Sequence, residues 1–164
     1  MSIFSAAHLK FLSILIQHRV DFILLGGYAA ILHGANRTTS DIDLLIKPSK
    51  ENGQKVIDSF VAHNLEADDL HPEDFEKELF LSFGFEPDAV DIMTFTKGIT
   101  FDEVFANAKE INIEGHFLKM IDIRDLIRNK EHLHRTGNKA LLDQYDIQEL
   151  KRILIEHEGG SFPG

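Results

Sequence analysis

The stretch that decides the fold is FILLGGYAAILHGANRTTSDIDLLIK, residues 22–47. It opens with an apolar run that two glycines end, and it closes with a second apolar run that Asp41 and Asp43 interrupt. A short apolar run stopped by Gly-Gly is typical of a buried strand followed by a tight turn. The stretch therefore predicts a strand, a short helix that ends at Gly34, and a second strand that Pro48 closes.

Outside this stretch the pattern alternates between helices and strands. Periodicity predicts further helices over 6–19, 51–64 (capped by Ser49), 101–110, 122–134 and 139–157. Aromatic and aliphatic runs predict an antiparallel pair over 79–85 and 89–95, and a hairpin over 111–121 that turns at Glu114-Gly115. This order predicts an α+β fold with a small mixed β-sheet, flanking helices and C-terminal helices. We expect a single domain over 1–158 and a flexible tail over 159–164.

Apolar residues within these elements are expected to pack in the core. On the strands they are the aromatic residues Phe80, Phe83, Phe85 and Phe95. On the last helix they are Leu142, Tyr145, Leu150, Ile153 and Leu154.

Composition limits the kinds of site and the location of the protein. The 164 residues include no cysteine, which excludes disulfides, thiolate metal sites and cysteine nucleophiles. The N-terminal segment lacks a basic region before its short apolar core, so it resembles neither a signal peptide nor a membrane span. We therefore expect a cytoplasmic protein without a membrane partner.

Charge is high and unevenly distributed. The net charge of −10 argues against strong non-specific binding to nucleic acid. Ten acidic residues and one lysine lie between Glu66 and Asp91, whereas six basic residues and three acidic ones lie between Lys119 and Lys139. An acidic protein with one basic stretch suggests a local anion site, and a solvated helix face is the alternative.

The two aspartates suggest a metal site. Residues i and i+2 of a strand share a face about 6.6 Å apart, so Asp41 and Asp43 point the same way. At an effective dielectric of about 20 they repel by a few kcal/mol, and a divalent cation removes that repulsion. Mg²⁺ suits such oxygen ligands. The alternative is a solvated pair on an exposed strand.

Further residues extend the candidate site. Asp91 interrupts another apolar strand, and three carboxylates on adjacent strands would form a two-metal site for phosphoryl chemistry. Gly26 and Gly27 precede a helix N terminus, where backbone N–H groups can approach a phosphate. A plain strand-to-helix turn explains the glycines equally well. Arg37 either contacts phosphate or caps the loop that follows Gly34.

The residues LLGGYAAILHG and RTTSDIDLLI resemble the nucleotidyltransferases of the DNA polymerase beta superfamily. The Arg-x-Thr before Asp-Ile-Asp-Leu is similar to minimal bacterial members, including the abortive-infection toxin type of toxin–antitoxin and phage-defence systems. In the late segment a lysine, an arginine and an Asp-x-x-Asp pair also match, at Lys130, Arg135, Asp143 and Asp146. The basic residue that directly precedes this pair in those relatives is replaced here by Leu142.

The resemblance implies a role for each matched position. Gly26 and Gly27 would hold the phosphates of an NTP such as ATP, with Ser40 as a helper, and Lys130 would reach the triphosphate. Asp41, Asp43 and Asp91 would bind two Mg²⁺ ions, with Mn²⁺ as the alternative, and Asp91 would help deprotonate the acceptor. Helix-surface ion pairs are the alternative for Asp143 and Asp146, and the favoured one for Asp146.

The leading hypothesis is a metal-dependent enzyme that transfers an NMP group from an NTP to a hydroxyl of RNA, a protein or a small molecule. The main alternative is a catalytically silent interaction module of the same fold that binds a partner protein. A plain metal-binding domain is a third hypothesis. The first requires Asp41, Asp43 and Asp91 together, whereas a purely structural role does not.

Overall fold

A six-stranded mixed sheet organises the chain, as a computed structural model shows for residues 3–158. The helices are α1 (Ala6–Gln17), α2 (Gly26–His33), α3 (Lys50–Ala62), a 3-10 helix (Pro72–Glu76), α4 (Phe101–Asn107), α5 (Ile123–Leu133) and α6 (Gly137–Glu158). The strands are β1 (Phe22–Leu25), β2 (Ile42–Ile46), β3 (Phe80–Phe83), β4 (Val90–Met93), β5 (Lys109–Ile113) and β6 (His116–Met120). The α+β prediction is confirmed. The predicted tail 159–164 lies outside the described residues.

The strand order across the sheet is β3-β4-β2-β1-β6-β5. Three neighbouring pairs are antiparallel: β1 with β2, β3 with β4, and β5 with β6. Two are parallel: β1 with β6, and β2 with β4. The two strands of the opening stretch therefore lie in the middle of the sheet, where β2 is enclosed between β1 and β4.

Two apolar clusters lie on opposite faces of the sheet. Alternate strand residues such as Leu24, Leu44 and Ile92 pack with α1, α3 and the 3-10 helix. The residues between them, such as Ile23 and Leu45, pack with α2, α4, α5 and α6. This alternation is what strands enclosed between two helical layers require. Among the helices of residues 3–158, none combines the length and apolar character needed to cross a bilayer.

Several element boundaries differ from the predicted ones. The helix predicted over 101–110 ends at Asn107, because Lys109 already pairs with Met120 at the start of the hairpin. The hairpin turn at Glu114-Gly115 is confirmed, and both residues have positive φ. Sequence patterns did not predict the 3-10 helix.

The core predictions for the aromatic residues were partly wrong. Phe83 packs against the first apolar cluster, as predicted. Phe80, Phe85 and Phe95 are 61%, 89% and 50% exposed. On α6, Leu150, Ile153 and Leu154 are buried as predicted, whereas Leu142 and Tyr145 are exposed. The exposed phenylalanines lie on the edge strand β3, in the turn after it, or in the loop after β4.

Asn52 and Gly53 are poor helix formers that tertiary contacts explain. The buried Asn52 side chain accepts from the Asp21 backbone N–H and donates to the carbonyls of Asp21 and Lys47. A Cβ on Gly53 would lie 2.5 Å from a ring carbon of the fully buried Phe75. Both residues thus join α3 to its surroundings at the expense of helix propensity.

We expect Gly53→Ala to lower the free energy of unfolding by about 1–2 kcal/mol. Overpacking against Phe75 costs about 1–3 kcal/mol and exceeds the gain of about 1 kcal/mol in helix propensity. Urea denaturation monitored by circular dichroism measures the change. Gln54→Ala, on an exposed position of the same helix, is the control and should change stability by less than about 0.5 kcal/mol. A stabilised Gly53→Ala variant would contradict the close packing.

Candidate active site

The register of the sheet brings two of the predicted carboxylates side by side. Asp43 on β2 pairs with Asp91 on the parallel strand β4, and on its other side it pairs with Leu25 of β1. Ser82 on the edge strand β3 pairs with Asp91. Residues paired directly across strands share a face of the sheet. Ser82, Asp91, Asp43 and Leu25 therefore form a row across four strands, directly beside Gly26.

Leu25, Asp43 and Asp91 of this row line a cleft of about 280 Å³. Seven of the eight residues predicted from the sequence line it: Gly26, Gly27, Arg37, Asp41, Asp43, Asp91 and Lys130. Ser40 does not line the cleft, although its hydroxyl donates to Asp41 Oδ1 at 3.3 Å. Further lining residues include Thr39, Phe80, Met93, Thr96, Asn129, Leu133, Arg135, Lys139 and Leu142. Residues distant in sequence thus converge on one concave site.

Asp43 is held in an environment that opposes its ionisation. Burial, the largest cause, and the negative charge of Asp91 raise the pKa of Asp43 to about 7. The Lys130 ammonium opposes this increase. The Asp91 carboxylate accepts a hydrogen bond, since Ser82 Oγ donates to its Oδ1 at 2.6 Å. The two paired carboxylates therefore differ in environment.

The two glycines lie where side chains would not fit. Gly26 has a φ of +72°, and a Cβ there would overlap the Asp43 carboxylate, with Asp43 Cγ only 2.9 Å away. A Cβ on Gly27 would lie 2.9 Å from Thr39 Oγ1. Helix α2 begins at Gly26, and its N-cap residue Leu25 provides no side-chain cap. The first backbone N–H groups of α2 are therefore available at the cleft.

A buried ion-pair network borders the other side of the cleft. Lys130 Nζ lies 2.9 Å from Asp146 Oδ2 and 3.4 Å from Asp143 Oδ1. Arg37 Nη1 lies 2.6 Å from the same Asp146 oxygen. Arg135 donates from Nε to Asp143 Oδ2 at 2.7 Å, and from Nη2 to Oδ1. We call these five residues the α5–α6 ion network.

The contacts of the network bear on two alternatives from the sequence, the loop cap by Arg37 and the ion pairs of Asp143 and Asp146. Arg37 does not cap the loop after Gly34; its Nε donates to Thr38, and Tyr145 donates to the Asn36 carbonyl instead. The predicted ion pairs of Asp143 and Asp146 do form with Lys130 and Arg135, but Lys139 is not a partner, Arg37 is an additional one, and Asp146 is fully buried and not on the helix surface. The packing of α5 and α6 with α2 encloses this face. Asp146 Oδ1 has no hydrogen-bond partner within residues 3–158.

Sequence reasoning missed three polar residues of the cleft region. Asn129 Nδ2 donates to Thr96 Oγ1 at 2.9 Å and to the Lys97 carbonyl at 2.8 Å, which fixes the loop after β4. Ser82 orients Asp91. Lys139 is exposed, lines the cleft and forms no ion pair with any residue between 3 and 158. The sequence signal for Asn129 was its position inside a helix, where asparagine is a weak helix former.

Three carboxylates of the cleft are the residues that could contact a metal ion. Asp43 and Asp91 face each other across adjacent strands, and Asp41 lies two residues before Asp43 in the same cleft. Within residues 3–158 no group of three or more His, Asp or Glu side chains is arranged closely enough to hold a metal ion by itself. His132 and His134, two apart at the end of α5, form no such group either.

Comparison with solved structures identifies the fold. A nucleotidyltransferase-like antigenic protein from Paracoccidioides brasiliensis superposes with a TM-score of 0.53 at 16% identity, covering 92% of this chain and 78% of that one. The lincosamide antibiotic adenylyltransferase LnuA, bound to lincomycin, superposes with a TM-score of 0.51 at 17% identity, covering 92% and 98%. No protein-family model and no curated protein sequence matches. The chain thus has a nucleotidyltransferase-like fold.

We expect Asp43→Asn to stabilise the metal-free protein at pH 8 by about 1–3 kcal/mol. The raised pKa means that the folded state holds the Asp43 proton more tightly than the unfolded state does. The contribution of Asp43 to wild-type stability should therefore fall as pH rises from about 4 to 7, and the gain from asparagine should grow over the same window. Urea denaturation in EDTA at pH 5 and pH 8 measures both effects.

Asp69→Asn is the matched control, because Asp69 is exposed and in no ion pair with the described part of the chain. It should leave stability unchanged at both pH values. A stability gain from Asp43→Asn that is equal at pH 5 and pH 8 would show that burial and charge repulsion do not act on this carboxyl.

Proposed function

We propose that the protein is a Mg²⁺-dependent nucleotidyltransferase that moves an NMP group from an NTP to a hydroxyl and releases pyrophosphate. One observation carries this proposal. The paired carboxylates of Asp43 and Asp91 lie between the uncapped N terminus of α2 and the α5–α6 ion network. The nucleotidyltransferase-like fold, which LnuA shares, supports the assignment.

The metal ions would be held by Asp41, Asp43 and Asp91. Mg²⁺ binds proteins through one or two carboxylates and completes its coordination with water and substrate phosphates. A site without a complete protein cluster fits an ion that arrives with the nucleotide. Bound ions would neutralise charge on the phosphate oxygens, with Mn²⁺ as an alternative to Mg²⁺ and two ions as the expected number.

The phosphates would lie between α2 and the α5–α6 ion network. The N–H groups at Gly26 and Gly27 would donate to phosphate oxygens. Lys130 Nζ donates to Asp143 and forms an ion pair with Asp146, so at least one of its three ammonium protons remains for a phosphate. Arg135, whose side chain is 38% exposed, and the unpaired Lys139 extend the cationic wall. Arg37 and Ser40 would assist beside Gly27 and Asp41.

Transfer would proceed by in-line displacement. The acceptor hydroxyl oxygen forms a bond to the α-phosphorus while the bond from that phosphorus to the oxygen bridging to the β-phosphate breaks, and pyrophosphate leaves. Asp91 takes the hydroxyl proton, and Ser82 keeps its carboxylate oriented. The protein otherwise acts by positioning and by electrostatic stabilisation.

The acceptor and the biological setting are predicted from the sequence. RNA, a protein hydroxyl and a small molecule all remain as acceptors, and the net charge of −10 disfavours RNA. LnuA, a neighbour with the same fold, acts on a small antibiotic. A role within a toxin–antitoxin or phage-defence system, a partner protein and a cytoplasmic location stay predictions.

The central experiment titrates the protein with each NTP in Mg²⁺ and in EDTA, using isothermal titration calorimetry. We expect Mg²⁺-dependent binding of at least one NTP and at least a 100-fold loss of affinity in Asp41→Asn/Asp43→Asn. The double variant Asp68→Asn/Asp69→Asn removes the same charge from an exposed loop and should bind normally. Pyrophosphate release then tests transfer.

Each outcome of this titration selects one hypothesis. A folded wild type that binds no NTP would reject the enzyme and favour the interaction module. Binding of Mg²⁺ alone, without NTP, would favour the plain metal-binding domain. Equal losses in both double variants would place the nucleotide elsewhere.

A second experiment tests the cationic wall through Lys139. We expect Lys139→Ala to weaken Mg²⁺–NTP binding about 3- to 10-fold while leaving the free energy of unfolding unchanged, because this lysine forms no ion pair with residues 3–158. Lys10→Ala, an exposed lysine on α1, is the control and should change neither quantity. An unaltered affinity in Lys139→Ala at low salt would exclude Lys139 from the phosphate site.

A further inference from the structure

Part of the cleft lining is apolar, and one of its residues, Phe80, lies on the edge strand beyond Asp91 as counted from the glycines. Phe80 on β3 pairs with Met93 on β4, and this pair lies two residues along the strands from the Ser82–Asp91 pair. Residues two apart on a strand lie about 6.6 Å apart on the same face. Phe80 and Met93 line the cleft together with Leu133 and Leu142. We call these four residues the apolar wall.

The order of the sheet gives this wall a position in the reaction. From Gly26 the row passes through Asp43 and Asp91 to the edge strand, three strand spacings or about 14 Å away. In the proposed reaction the phosphates lie at the glycine end, and Asp91 takes the proton of the acceptor hydroxyl. A group beyond Asp91 therefore faces the acceptor.

The wall is unusual in what it exposes. Phe80 is 61% exposed and Leu142 is 42% exposed, although both line a cleft whose other residues are mainly charged or polar. An aromatic ring held on a strand offers a flat surface for stacking, with few side-chain rotamers to freeze. The segment Glu66–Asp91, which contains β3, carries ten acidic residues and one lysine. This charge repels a polyanion and favours a neutral or cationic ligand.

We propose that the apolar wall is the acceptor site, and that the acceptor is a neutral or cationic small molecule whose reactive hydroxyl adjoins a flat apolar ring. The inference rests on the proposed nucleotidyl transfer. Phe80 stacks on the ring, Met93 and the two leucines enclose it, and the hydroxyl faces Asp91.

The test uses methionine methyl NMR, which needs neither nucleotide nor turnover. The chain has three methionines, and Met93→Ile identifies the Met93 signal. We titrate the wild-type protein with tyramine and adenosine, which carry rings, and with glycerol, which does not. We expect at least one ring compound to shift the Met93 signal, and glycerol to leave it unchanged.

Matched phenylalanine variants locate the site. Phe80→Ala should weaken binding of the ring compound about 3- to 10-fold, and Phe80→Tyr should restore it. Phe85→Ala is the control, because Phe85 is 89% exposed and does not line the cleft. Phe80→Ala should also leave Mg²⁺–ATP affinity unchanged.

The outcomes separate this proposal from the proposed function. If Mg²⁺–ATP binds but neither ring compound shifts Met93, the acceptor site is wrong and the transferase hypothesis stands. If a ring compound binds through Phe80 and no NTP binds, the wall is a small-molecule site and the transferase hypothesis fails. Equal effects of Phe80→Ala and Phe85→Ala, or transfer to an RNA 3′ end that Phe80→Ala abolishes, would overturn the proposed acceptor class.

Discussion

The pairing of Asp43 with Asp91 on neighbouring parallel strands is the constraint on which the site depends. It places two carboxylates side by side at a half-buried level of the sheet, where burial and mutual repulsion raise the pKa of Asp43. The stability of the fold does not require two paired carboxylates here. A hydrophobic pair at the same register would stabilise the sheet more. The strain is tolerated because Asp43 lies at the start of β2, directly against Gly26, where the cleft opens.

The α5–α6 ion network balances this negative charge from the opposite wall. Three cations, Arg37, Lys130 and Arg135, share two carboxylates, so the network carries a net charge of +1 towards the cleft. Burying Lys130, Asp143 and Asp146 has a desolvation cost of several kcal/mol each, which close pairing only partly offsets. The network fixes the geometry of the site, because the shared Asp146 oxygen connects the loop after α2 to both C-terminal helices.

The sequence predicted the parts of the site that arise from local chemistry. Gly-Gly follows the buried strand β1 as expected, and Asp43 lies on β2, whereas Asp41, also expected on the strand, comes directly before it. The contribution of Asp91 needed the register of β2 with β4, which the order of elements alone does not determine. Phe80 was expected in the core because aromatic residues on strands usually pack, but an edge strand at an uncovered part of the sheet leaves it exposed.

Lys130 and Lys139 also show that a sequence motif does not determine the environment of a side chain. Lys130 matches a family position and Lys139 matches none, and a motif therefore ranks the first above the second. In the fold, Lys130 is 5% exposed and forms ion pairs with two carboxylates. Lys139 lines the cleft and forms no ion pair with any of residues 3–158. A buried, paired ammonium mainly sets the field and the geometry of its surroundings, while an exposed, unpaired one is free to contact an incoming anion. The cleft thus combines a buried, paired ammonium at Lys130 with an exposed ammonium at Lys139 that forms no ion pair with residues 3–158.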